Sequence, residues 1–159
     1  MILTEMENVK NLNTVWMSLT YDCNNKCGWC YAASNLNAPS KREFPLEKET
    51  ETLDLLCSLE VKRIILIGGE PTLYGNFEGI VKKINDRGVR SGVISNGRRF
   101  SDRKFSRRMK ESGLDYLTIS ICGPNAESHD GITNVKGSFY QSMRGLRTAG
   151  EEGIDVATN

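Results

Sequence analysis

The amino-acid sequence describes a parallel α/β protein, and three observations carry that assignment. After a polar lead-in, residues 1–13, aliphatic strand-like runs alternate with stretches of helical periodicity to the end of the chain. That pattern belongs to sheets whose strands are joined by right-handed helical crossovers. The run Ile64-Ile65-Leu66-Ile67 is continuously apolar, as expected of a parallel strand covered on both faces. Each chemically suggestive segment also falls directly after a strand, where such sheets carry their functional groups.

The elements follow in order. Thr14-Val-Trp-Met-Ser-Leu-Thr20 forms a first strand, and a cysteine-bearing loop runs from it to about Pro39. Pro45 and Leu46 open a helix whose Leu46, Leu53, Leu56 and Leu59 recur at helical spacing as far as Glu60. The strand Arg63 to Ile67 ends in Gly68-Gly69-Glu70-Pro71, and a helix over Asn76 to Asp86 leads through Arg87-Gly88 to the strand Arg90 to Ser95, closed by Asn96-Gly97. A helix over Asp102 to Ser112 stops at Gly113, a C-cap, and Tyr116 to Ile121 forms a fourth strand ending in Cys122-Gly123-Pro124. The stretch through Lys136-Gly137 reads as a loop, Ser138 to Ala149 as a helix, and Gly153-Ile-Asp-Val-Ala157 begins a fifth strand.

A length of 159 residues and 38% hydrophobic content suit one packed domain. The net charge of +1 gives no global attraction to nucleic acid or anionic membranes, so neither is an expected partner. The chain holds no apolar stretch near the roughly 20 residues that span a bilayer and no secretory signal pattern, so a cytoplasmic location is expected. Five cysteines, an odd number with three clustered, argue for thiols in a reducing compartment rather than a disulfide framework.

Cys23, Cys27 and Cys30 make C-x-x-x-C-x-x-C, three sulfur donors where a closed metal site has four. Either a fourth ligand completes a structural zinc site or one coordination position stays open for chemistry. The only histidine, His129, is far along the chain. Asn24, Asn25 and Gly28 supply turn-forming residues between the cysteines. Cys57 lies on the apolar side of its helix and reads as a small core residue, Cys122 as a buried turn residue or else a thiol facing the active site, and His129 with Asp130 as part of a hydrogen-bonded loop rather than a catalytic acid. Arg98 to Lys110 contains seven basic residues, with Phe100, Phe105 and Met109 inward, and reads as a solvated face ahead of a docking surface for an acidic peptide or nucleic acid.

With the cysteine triplet ending the first strand and Gly68-Gly69-Glu70-Pro71 ending the second, residues 14–159 resemble the radical S-adenosylmethionine (SAM) superfamily. The likeness is greatest to members that act on peptides and proteins and often carry a SPASM-type C-terminal extension. The resemblance implies a partial parallel (β/α) barrel with about five of its six β/α units present and the C-terminal end incomplete. It implies a [4Fe-4S] cluster held by Cys23, Cys27 and Cys30, with the amino and carboxylate groups of SAM on the fourth iron. By the same resemblance Trp29 lies near the adenine, Gly68, Gly69 and Glu70 receive the methionine amino group, and Pro71 fixes the turn after them. Ser95 and Ser120 face SAM or substrate, with Ser120 on the ribose. Cys122 stands where relatives commonly have Asp, and Thr133 where they have a basic residue.

The implied reaction is reductive: an electron enters the SAM sulfonium through the cluster, and a 5′-deoxyadenosyl radical removes hydrogen from a peptide or protein substrate. A reductant such as flavodoxin or ferredoxin would supply the electron. Two other readings stay open: a radical SAM enzyme acting on a small molecule or nucleotide, and an inactive cluster- or zinc-binding module.

Overall fold

In the computed structural model the described residues are 12–30, 32 and 43–159. Most of the expected lead-in and the loop near Pro39 lie outside them. Five strands, β1 (Thr14–Thr20), β2 (Arg63–Gly68), β3 (Arg90–Ser95), β4 (Tyr116–Ile119) and β5 (Asp155–Thr158), form one open sheet in sequence order. All four neighbouring pairs are parallel. The connections carry helices α1 (Glu49–Ser58), α2 (Phe77–Asn85), α3 (Arg103–Glu111), α4 (Ala126–Thr133) and α5 (Ser138–Glu151).

Alternation along the strands explains how the sheet is filled. Leu19, Ile64, Leu66, Val93, Leu117 and Ile119 point to the helix side and are essentially inaccessible, packed with Ile80, Ile84, Phe105 and Met109. Each such side chain contributes about 1.5–3 kcal/mol by leaving water. The other face is barer. Trp16 is 60% exposed, and Ile65, Ile67 and Ile94 are only half-buried. Among the described residues the aliphatic run in β2 is therefore packed by helices on one face, while on the other Ile67 lines a cavity.

Two more expectations change. The segment read as a loop before Lys136 contains α4, eight residues with Gly131 inside and no apolar stripe to announce a helix. Asn125 caps it by accepting from Ser128 N at 3.0 Å, and Asn134 ends it in the left-handed region at φ 52°. β4 stops at Ile119 rather than Ile121, although Ser120 N still donates to Ser95 O and Ile121 N to Asn159 O. Elsewhere the sequence pattern holds: Asp102 caps α3 through Lys104 N, Gly113 follows it at φ 91°, and Phe100, Phe105 and Met109 are buried.

Candidate functional site

A cavity of about 380 Å³ opens beyond the carboxyl ends of the strands. Cys23, Cys27 and Cys30 line it together with Trp29, Gly68, Gly69, Ser95 and Ser120, so the structure gathers eight of the nine residues singled out from sequence. No charged side chain is among its lining residues. Trp29 stands on the rim, 72% exposed. Ser120 is the available hydroxyl, since no hydrogen bond engages it among the described residues. Ser95 is already committed, donating to Glu70 Oε1 at 2.8 Å and accepting from Gly97 N at 2.9 Å.

The glycine pair is required by a close crossing of backbone. A Cβ on Gly68 would sit 2.1 Å from Thr20 O, and one on Gly69 2.4 Å from Tyr21 O. Those crossings let Gly69 N donate to Thr20 O at 2.7 Å and Glu70 N to Asp22 O at 2.8 Å. The end of β2 thus holds the start of the cysteine loop.

Glu70 is the ninth residue, and its carboxylate does not line the cavity. It is fully buried, with Oε1 accepting from Thr72 N, Thr72 Oγ1 and Ser95 Oγ and Oε2 from Asn96 N at 2.8 Å. Burial pushes its carboxyl above the ordinary range, while the hydrogen bonds from Thr72, Asn96 and Ser95 pull it down. In this structure Glu70 joins the end of β2 to the end of β3.

The three thiols, four and three residues apart along the chain, share one wall of the cavity. In a cubane each sulfur serves a different iron, and in a zinc site all of them meet one ion. Burial pushes the Cys23 thiol up to about 11, with Asn25 N–H opposing, and raises Cys27 as well. Metal binding would therefore release protons here. The two remaining cysteines part company. Cys57 packs half-buried against the core, and half-buried Cys122 lines the cavity while its N–H donates to Nδ1 of buried His129 at 3.1 Å.

Several residues with no local sequence signal complete the site. Asn96 Nδ2 donates to Asn24 Oδ1 at 2.6 Å, and Arg98 Nη1 to Asn24 O at 2.5 Å and Asn25 Oδ1 at 3.0 Å. On the other flank Lys26 N donates to Thr133 O, and Asn134 Nδ2 to Lys26 O. Partners 72 to 108 residues apart cannot be read from spacing.

Parallel strands with a cysteine-lined cavity past their carboxyl ends define a cofactor-dependent (β/α) core. Residues 17–159 match the family model described as the radical SAM superfamily. The chain is 33% identical over 141 residues to the AdoMet-dependent heme synthase of Nitratidesulfovibrio vulgaris, covering 89% of this chain and 38% of that protein. It is 30% identical over 140 residues to the sporulation killing factor maturation protein SkfB of Bacillus subtilis, covering 88% and 33%. The structure of Streptococcus suis SuiB bound to S-adenosylmethionine superposes with a TM-score of 0.77 at 14% identity, covering 99% of this chain and 36% of that one. The chain belongs to the radical SAM superfamily, whose members are enzymes that use a [4Fe-4S] cluster and SAM. It spans about a third of the length of these relatives. Among the described residues no helix is long and apolar enough to cross a membrane.

Proposed function

We propose that this chain is the radical-generating core of a radical SAM enzyme, with Cys23, Cys27 and Cys30 as cluster ligands. The observation that carries the reading is the convergence of three thiols and the Gly68-Gly69 segment on one uncharged cavity. When bound, the cluster and SAM supply one-electron cleavage of the sulfonium and a nucleoside radical that takes hydrogen from substrate.

The protein's own work is positioning. Gly68 and Gly69 bring backbone to the cavity wall beside the cysteine loop, where their approach suits the methionine end of SAM. Ser120 offers a free hydroxyl for the ribose, and Trp29 an exposed indole for the adenine. Glu70 acts from behind, holding Ser95 and Asn96 in place. A small redox protein such as a flavodoxin or ferredoxin would deliver the electron.

A peptide or protein is the substrate class we favour, supported by the likeness to SkfB, a maturation protein. The second reading, a tetrapyrrole, is favoured by the 33% identity to a heme synthase. Trapping of a labelled precursor peptide against turnover of a porphyrin separates them.

The core assignment is tested by anaerobic reconstitution with iron and sulfide, then dithionite and SAM. About four irons per chain and release of 5′-deoxyadenosine are expected, and Cys27→Ala should abolish both. Zinc without iron, or 5′-deoxyadenosine from Cys27→Ala, would overturn the ligand assignment.

A further inference from the structure

The cysteine loop carries an N–H···S hydrogen bond whose donor is itself held from outside the loop. Asn25 N donates to Cys23 Sγ at 3.3 Å. The Asn25 side chain accepts from Arg98 Nη1 at 3.0 Å, and the same nitrogen reaches Asn24 O at 2.5 Å. Arg98 is in turn fixed from two sides. Its Nε donates to Gln141 Oε1 at 2.6 Å, and its backbone N donates to Asn96 Oδ1 at 3.0 Å. Asn96 is anchored by Glu70 Oε2 and by Ser142, whose hydroxyl donates to Asn96 O at 2.7 Å. The guanidinium, half-buried, is thus a rigid fork mounted on the β3–α3 corner and on α5 and aimed at the two residues after the first cysteine.

We propose that Arg98 is a positioning residue of the cluster loop: by holding Asn24 and Asn25 it keeps the Asn25 N–H on Cys23 Sγ and so raises the reduction potential of the cluster. Hydrogen bonds to cluster sulfurs favour the more negative, reduced state. The inference rests on the proposed role of Cys23 as a ligand. The mounting matters because a donor misplaced by a rotation of one peptide is lost to the sulfur.

The test uses the full chain, reconstituted, with the midpoint potential read by an EPR-monitored redox titration. Arg98→Met and Arg98→Lys should both shift the midpoint to lower potential, since lysine restores the charge but not the fork. Asn25→Ala should shift it the same way but by less, and the double variant Arg98→Met/Asn25→Ala no further than Arg98→Met alone. Asn25→Ala leaves the bonds of Arg98 to Asn24 and Gln141 in place, so it keeps the test open if Arg98→Met does not fold. Hydrogen exchange at the Asn25 amide, measured in the metal-free chain, should accelerate about tenfold or more in Arg98→Met, the effect of losing a charge-assisted hydrogen bond. A wild-type midpoint in Asn25→Ala or Arg98→Lys, additive shifts in the double variant, or unchanged amide exchange would overturn the proposal. Failure of the wild-type chain to take up iron would strike the proposed function instead, with the exchange experiment still deciding the role of Arg98.

Discussion

Two glutamates, Glu49 at the start of α1 and Glu70 after β2, are equally inaccessible, and they are satisfied in opposite ways. Glu49 accepts from Tyr74 Oη at 2.6 Å, from Asn76 Nδ2, and from the Lys83 ammonium at 2.8 Å, whose side chain keeps 35% of its exposure. Glu70 has no cation among its hydrogen-bond partners in the described residues. Thr72, Ser95 and Asn96 surround it with neutral donors. The first arrangement clamps α1 to α2 with a compensated charge. The second binds two strand ends and, through Asn96, the cysteine loop, so its cost is borne where the cavity is built. A buried carboxyl held by neutral donors, beside the cysteine-lined cavity, marks a place where the fold has spent stability on arrangement.

The comparison is broken most severely at the ion pair. Lys83→Met strands Glu49 as an uncompensated buried charge and should lower unfolding free energy by about 3 kcal/mol, read by urea denaturation, without changing iron uptake. Iron uptake falling in parallel would mean that the two glutamates belong to one cooperative unit. Glu70→Gln comes next. Its amide must turn a donor toward one of the existing donors, at a cost of about 1–2 kcal/mol, and iron retention should suffer more than global stability.

The pH dependence of that variant sharpens the contrast. Because burial raises the Glu70 carboxyl, the folded chain holds a proton that the unfolded chain has released, so this group's contribution to stability falls as pH rises. The fall starts near the ordinary value of 4.5 and ends once the raised folded value is passed. Glutamine has no such slope, so the gap between wild type and Glu70→Gln should narrow from pH 4.5 upward in paired denaturation curves. A gap independent of pH would show that Glu70 is not raised. The smallest stability effect is expected at Ser120→Ala, within about 0.5 kcal/mol for a half-buried hydroxyl with no partner, while SAM affinity, measured by equilibrium dialysis, drops by up to about tenfold.

Legibility followed the range of the interactions concerned. β1 and β3 have the bounds the hydrophobic pattern assigns, Thr14–Thr20 and Arg90–Ser95, because strand propensity and apolar content are local. The helix Ala126–Thr133 escaped because it has no apolar face to announce it and depends on the Asn125 cap and the burial of His129. At the site, the cysteine spacing and the glycine pair were readable, since a loop carrying several ligands and a close backbone crossing each leave a compositional trace. The hold of Arg98 and Asn134 on that loop left none.

Residue order alone determined that strands and helices alternate, that three thiols stand together after the first strand, and that Gly68-Gly69 ends the second, because each depends on neighbours a few bonds away. Tertiary structure alone decided that, among the described residues, one face of the sheet lines a chamber, that the Glu70 carboxylate is buried against Ser95 and Asn96 at its wall, and that Arg98 reaches back to Asn25. Those outcomes are set by which distant groups become adjacent after the sheet assembles, and hydrogen bonds formed at that stage carry no periodicity in the chain.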